Sequence, residues 1–213
     1  MPGPSRNYAK ELERLIQKLQ QEGKVPRLLL HACCAPCSSA VLEYLSQYFA
    51  ITLLYYNPNI APLEEYQKRE AELRRLISQM KFTHPVELLP CQYDGQAFVQ
   101  AARGLEGEPE GGKRCEACFR LRLRYAAQEA ARLRFDYYTT TLSISPMKNA
   151  PLLNQLGEEI GREFGVAHLP SDFKKKDGYK RSVQLSKEYD LYRQDYCGCA
   201  FSKAEREAQI ANA

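Results

Sequence analysis

Three cysteines within five residues, Cys33, Cys34 and Cys37, follow directly on the aliphatic run Leu28-Leu29-Leu30. Strands buried on both faces read as such continuous runs, and open α/β sheets do their chemistry just past the carboxyl ends of those strands. A second pair, Cys115-Glu116-Ala117-Cys118, opens a stretch with helical periodicity. There both sulfurs meet unpaired backbone N–H groups, whose positive end favours the metal-binding thiolate. The pair alone fits half of a zinc site, an iron–sulfur site or a thioredoxin-type dithiol. With Cys33, Cys34 and Cys37 there are five thiols at two loops, where four satisfy a tetrahedral zinc or a cubane cluster and one remains for a second task. Against this stands the reading of Cys33 or Cys34 as a small buried hydrophobe. Cys197-Gly198-Cys199 is a third site; a disulfide across one residue closes a strained ring, so the pair is redox-labile or metal-ligating. Cys91, after Leu89-Pro90, reads as packing.

Other groups with chemistry stand close by in the sequence. His31 is either a hydrogen-bonded core histidine or support for a metal site from behind its ligands. Asp94 and Asp172 lie near expected strand exits, and either can assist a metal or donate a proton. No glycine-rich loop follows the first strand; Cys33-Cys34-Ala35-Pro36-Cys37 takes its place, which disfavours phosphate cradling. The segment from 173 to 193 interleaves Lys174, Lys175, Lys176, Lys180, Arg181, Lys187 and Arg193 with Tyr179, Tyr189 and Tyr192. Such a mixture suits phosphates and unpaired bases. It equally describes a solvated helix whose tyrosines pack inward. Arg114, Arg120 and Arg124 stand where they can bring an anionic substrate to the second cysteine pair.

Elements that position these residues are legible in the periodicity. Leu12, Leu15, Ile16 and Leu19 mark an amphipathic lead-in helix within residues 1–24, ended by Gly23. Strands are expected at 27–32, 51–56, 86–89, 137–142 and 166–169. Helices are expected from Ser38 or Ser39 as cap, at 62–80, near Phe98, from 113 to 134, at 150–164 and within the basic, aromatic segment 172–213. Strands alternating with helices define an α/β fold, a Rossmann-like three-layer α/β/α sandwich with a mainly parallel five-stranded sheet. We expect a single domain over residues 1–213. Hydrophobic residues make up 44% and charged residues 26% of the 213, which excludes global disorder. No apolar run reaches membrane-spanning length and residues 1–6 lack a signal-peptide core, so a cytoplasmic, membrane-free protein with reduced thiols is expected. A net charge of +4 is too small to assert a nucleic-acid partner.

Taken in order, His31-Ala32-Cys33-Cys34-Ala35-Pro36-Cys37, Tyr55-Tyr56-Asn57-Pro58-Asn59-Ile60, Arg114-Cys115-Glu116-Ala117-Cys118-Phe119-Arg120-Leu121-Arg122, Thr139-Thr140-Thr141-Leu142-Ser143-Ile144-Ser145-Pro146 and Tyr196-Cys197-Gly198-Cys199 resemble the cobalamin-independent epoxyqueuosine reductases, the QueH family. The resemblance runs from Leu28 to Ser202. It implies two-electron removal of the epoxide oxygen of epoxyqueuosine at the tRNA wobble position. It also implies a [4Fe-4S] cluster on Cys33, Cys34, Cys115 and Cys118, a mononuclear iron on Cys37, and a redox pair in Cys197 and Cys199. Asp94 is the candidate proton donor, Lys174, Lys175, Lys176, Tyr179, Lys180 and Arg181 are the candidate RNA contacts, and a ferredoxin or flavodoxin is the expected electron donor. The alternatives are a zinc-stabilised RNA-binding module and a metal-free dithiol oxidoreductase.

Overall fold

Leu28, Leu29 and Leu30 form the middle of the sheet because each has a core to enter: Leu28 and Leu30 pack on one face and Leu29 on the other. All three are fully buried, and burying each contributes about 2 kcal/mol. The computed structural model describes residues 6–211; residues 1–5, part of the stretch read for a leader, and 212–213 lie outside the described residues. Strand β1 (Arg27–His31) lies between β2 (Ala50–Leu54) and β4 (Tyr137–Thr140), with β3 (Val86–Leu89) beyond β2 and β5 (Ala167–His168) beyond β4. Every pairing is parallel, with Leu30 opposite Leu53 on one side and Thr139 on the other. All five carboxyl ends therefore open on one edge.

Helices α1 (Tyr8–Gln21), α2 (Ala35–Leu45), α3 (Leu63–Gln79) and α7 (Gly178–Glu188) share a core with one face of the sheet. On the other face, α5 (Lys113–Arg132) and α6 (Ala150–Phe164) pack against Leu29, Leu54 and Tyr138. The short α4 (Gly95–Ala102) and α8 (Ala200–Ala211) meet where Phe98, Cys118 and Cys199 share a small apolar cluster. This is the three-layer α/β/α sandwich expected from the alternation. No helix among the described residues is long and apolar enough to cross a membrane.

Three departures from expectation bear on function. Helix α2 starts at Ala35, with Cys34 rather than Ser38 or Ser39 at its N-cap and Pro36 in its first turn. Proline presets the dihedral there and lacks only an N–H that would be unpaired anyway. Strand β4 stops at Thr140, and the chain continues as a 3-10 turn, Thr141–Ile144, with the Thr140 side chain accepting from Leu142 N–H. The helical segment expected over 172–213 is two helices, α7 and α8, parted by the Cys197-Gly198-Cys199 loop.

His168 closes the β5 edge in an unusual way. Its ring stands edge-on to Tyr138 at 5.2 Å and fills the space a Cβ on Gly157 would occupy, 2.3 Å from the ring. Neither ring nitrogen has a hydrogen-bond partner, and burial pulls its pKa down to about 3. The unfolded chain accepts a proton below roughly pH 6.5 that the native ring refuses, so stability declines as pH falls from about 6.5 towards 3. His168→Phe is expected to lose roughly 2 kcal/mol less than the wild type between pH 7 and pH 5. Urea unfolding at the two pH values checks this; parallel losses in both proteins would show that another group carries the acid sensitivity.

Candidate metal centre

Cys33, Cys34 and Cys37 converge because the chain leaves β geometry immediately after His31. Cys34 is extended, at φ −170° and ψ 166°, and the next residues turn into α2. Adjacent cysteines that would face opposite ways in a strand thus bring their sulfurs, with that of Cys37, within 4.8 Å of one another. Thr141 fixes Cys33 from the end of β4: the Cys33 N–H donates to its Oγ1 at 3.1 Å, and its hydroxyl donates to the Cys33 sulfur at 3.3 Å. Of the three thiols, Cys34 gives up its proton most readily, because Cys33 and Cys37 both donate to its sulfur. Hydrogen bonds with Cys33 and Cys34, and then burial, hold the Cys37 thiol well above its ordinary value.

His31 stands behind this group. Its Nε2 lies 3.0 Å from the Tyr56 carbonyl, so that nitrogen carries the hydrogen and Nδ1, 2.8 Å from Thr140 Oγ1, accepts. Burial first, and the Arg122 charge second, lower its pKa to about 4. The neutral ring ties together the exits of β1, β2 and β4. Asn57 does the same from the loop after β2, donating through Nδ2 to the Ala32 carbonyl at 2.8 Å.

A second sulfur group lies beside the first. Cys115 and Cys118, in the opening turns of α5, line a small cavity with Cys197 and Cys199. Backbone N–H groups donate to two of these sulfurs, Gly111 to Cys115 at 3.2 Å and Ser202 to Cys199 at 3.4 Å. Burial pushes the Cys118 thiol up to about 12 despite the nearby Arg122 charge. Arg122 and Cys197 also line the larger cleft, of about 760 Å³, that reaches Cys33, Cys34 and Cys37. The two groups thus share a wall. All eight cysteines are free thiols.

Gly198 is what lets Cys197 and Cys199 sit there. Its φ is +120°, and an added Cβ would lie 2.9 Å from both Arg69 Nη1 and Ile60 Cγ1. The Gly198 carbonyl accepts from Ala61 N–H at 3.0 Å, pinning the turn to the β2 exit. Gly198→Ala combines backbone strain of about 1–3 kcal/mol with a collision, and is expected to lower urea stability by at least about 2 kcal/mol. An unchanged midpoint would mean that the turn re-forms elsewhere.

Four buried cations surround the sulfurs. Arg69 pairs with Glu65 at 2.7 Å and donates to the Cys197 carbonyl at 3.1 Å. Arg114 pairs with Glu205 of α8 at 3.0 Å and also holds the carbonyls of Leu105, Glu106 and Glu108. Lys148 pairs with Glu110 at 2.9 Å, and Glu110 accepts from Ser202, whose oxygen accepts the Cys197 N–H. Arg122 has no carboxylate partner among the described residues.

Several expected participants lie elsewhere or are otherwise engaged. The exposed Asp94 carboxylate caps α4, accepting from Ala97 N–H at 3.2 Å, and lines neither sulfur cavity. Asp172 pairs with Lys174, Arg181 with Glu43, and Lys176 with Glu13. Lys175, Tyr179 and Lys180 are exposed, and Tyr179 lines the cleft. Tyr192 is drawn onto α3, its hydroxyl donating to Glu65 and its ring under Lys68. Arg120 and Arg124 reach Glu159 and Glu163 of α6 rather than the thiols. Cys91 packs beside Tyr125, 3.8 Å from its hydroxyl, as a partly buried small side chain.

The donor set fits a thiolate-bound metal group. Three sulfurs meet at one point, two others accept backbone N–H bonds, and Arg69 Nη2 and Arg122 Nη2 are buried without partners. Soft sulfur ligands select zinc, copper(I) or iron–sulfur. A parallel α/β/α sandwich with free thiols gathered at the carboxyl edge of its sheet defines a Rossmann-like protein equipped to hold metal. Residues 28–205 match the family model described as epoxyqueuosine reductase QueH. The chain is 42% identical over 203 residues to epoxyqueuosine reductase QueH of Streptococcus pyogenes serotype M1, covering 94% of this chain and 80% of that one. It is 35% identical over 190 residues to the Thermotoga maritima protein of the same name, covering 86% and 94%. The chain belongs to the epoxyqueuosine reductase QueH family.

Proposed function

We propose that this protein is an oxidoreductase of tRNA modification that removes the epoxide oxygen of epoxyqueuosine at the wobble position. The observation that carries the reading is the convergence of Cys33, Cys34 and Cys37 on the cleft of about 760 Å³, a volume suited to a single nucleotide-sized group. The reaction breaks both C–O bonds of the epoxide, forms a C=C bond, consumes two electrons and two protons, and releases the oxygen as water. Cys33, Cys34, Cys115 and Cys118 would hold a [4Fe-4S] cluster and Cys37 a second iron. When bound, these groups supply electrons one at a time and a Lewis acid for oxygen. Cys197 and Cys199 serve as a redox pair, and a ferredoxin- or flavodoxin-type protein is the electron source.

The chain's own residues supply the rest. Lys148 lines the cleft as a buried ammonium and is the proton donor in place of the distant Asp94. Burial would lower its pKa, but Cys197 and Glu110 outweigh this and raise it. A wobble base must leave the anticodon stack to reach the cleft floor. Tyr179, exposed at the cleft, offers that strand a stacking face, with the exposed Lys175 and Lys180, which pair with no carboxylate among the described residues, available for phosphates. Lys174, Lys176 and Arg181, held by carboxylates, contribute less.

The test is anaerobic purification, then absorption spectroscopy with iron, sulfide and zinc analysis, then incubation with reductant and epoxyqueuosine-bearing tRNA. Brown protein with a band near roughly 400 nm, more iron than one cubane holds and conversion to queuosine is the expected result. Colourless protein with stoichiometric zinc would favour a structural-zinc RNA module, and full turnover in a chelator would favour a metal-free dithiol enzyme.

A further inference from the structure

Three of the four buried cations around the sulfurs have a carboxylate: Arg69 has Glu65, Arg114 has Glu205 and Lys148 has Glu110. Arg122 has none among the described residues. It is 1% exposed, its Nε donates to the Cys118 carbonyl one turn back in its own helix at 3.2 Å, and its Nη2 has no partner. The guanidinium also lies near the Phe119 ring, 5.7 Å from its centroid. It lines both the cleft of Cys33, Cys34 and Cys37 and the cavity of Cys115, Cys118, Cys197 and Cys199.

An unpaired charge so deeply buried costs several kcal/mol, and an apolar residue of similar size would avoid that cost. The position makes sense only if negative charge stands on the cavity side. Thiols of both groups, Cys118, Cys197, Cys33 and Cys115, are close enough for their charge to act on the guanidinium, and as metal thiolates they would carry that charge. A deep position with only 1% of its surface accessible is unsuited to a substrate phosphate.

We propose that Arg122 is the counter-ion and hydrogen-bond donor of the iron–sulfur centre, and that it raises the reduction potential of that centre. The inference rests on the cluster assignment above. Reduction adds negative charge, and a fixed guanidinium in a low-dielectric pocket stabilises the reduced state more than the oxidised one. The free Nη2 hydrogens offer a sulfur a charge-assisted bond that an ammonium does not reproduce. Arg122 is thus a positioning residue acting through the centre, without touching the epoxide.

The experiment compares wild type with Arg122→Met, Arg122→Gln and Arg122→Lys, each loaded anaerobically, by iron and sulfide content and by a redox titration followed by electron paramagnetic resonance. Met and Gln are expected to lower the reduced-to-oxidised ratio at fixed poise at least tenfold, 59 mV for a one-electron couple. Lys is expected to restore part of this shift. Should Met fail to retain iron, Gln decides by the same criterion, since it keeps a polar head of similar reach. Full iron content with a ratio within threefold of wild type in the neutral variants overturns the role of Arg122. Loss of iron in both neutral variants, with a wild-type ratio in Lys, overturns the tuning and leaves a structural cation. A wild type that assembles no cluster overturns the cluster assignment itself, a result visible before any variant is made.

Discussion

Cys37→Ala is expected to lower epoxide reduction by more than about 10³-fold while most of the visible iron–sulfur absorbance remains, because each lost 1.36 kcal/mol of transition-state stabilisation is tenfold in rate. Cys34→Ala is expected to lose both. The contrast follows from how the three thiols differ. Cys34 is the buried N-cap of α2 and the sulfur to which both neighbours donate, so it is the first to become thiolate. Cys37 holds its proton longest, and a metal must displace that proton to bind. A second iron held by Cys37, as proposed, is therefore expected to load in the more pH-sensitive step. Measuring turnover and absorbance side by side in the two variants checks the division of labour; loss of absorbance in both would put all three sulfurs on one centre.

Lys148→Met is expected to reduce kcat by about 10²–10⁴-fold with the absorbance unchanged, the span for a positioned proton donor. The pH dependence supplies the sharper reading. An acid must be protonated to act, so its activity is lost as pH rises through its pKa. In the wild type, Glu110 and the Cys197 sulfur hold that pKa above the ordinary lysine value against burial. Glu110→Gln removes part of the support, and the alkaline limb of kcat is expected to move to lower pH. Steady-state kinetics from neutral to alkaline pH on both variants test this, and an unmoved limb in Glu110→Gln would assign the proton to another group.

Elements whose signals are local were legible in the sequence. Helix α6 matches its expected bounds because Asn149 caps one end, accepting from Leu152 N–H at 3.0 Å, and left-handed Gly165 ends the other. Strand β3 likewise matches, between Pro85 and Pro90. The sulfur loops were legible as composition, but their grouping was not. Spacing alone could not show that Cys197 and Cys199 stand beside Cys115 and Cys118, since that proximity depends on α8, whose buried contacts are few: Ser202 and a partly buried Phe201. The buried arginines were equally hidden. Arg69 and Arg122 sit in helices rich in Glu, Lys and Arg, where arginine ordinarily faces water. Only the tertiary structure separates Arg122 from Arg120 and Arg124, two residues away on either side and paired with α6.

The wall shared by the two sulfur groups also bears on the order of assembly. Chains generally fold from the N-terminus as they are synthesised, and Cys33, Cys34 and Cys37 emerge with β1 and α2 long before α8. Until α8 docks through Arg114 and Glu205, the nascent chain carries thiols without the Cys197–Cys199 wall. Metal delivery to a partly made chain would meet an open, competing set of sulfurs. A metal group held as proposed would therefore stay open on one side until α8 is in place, so that α8 closes the site as well as lining its cavities.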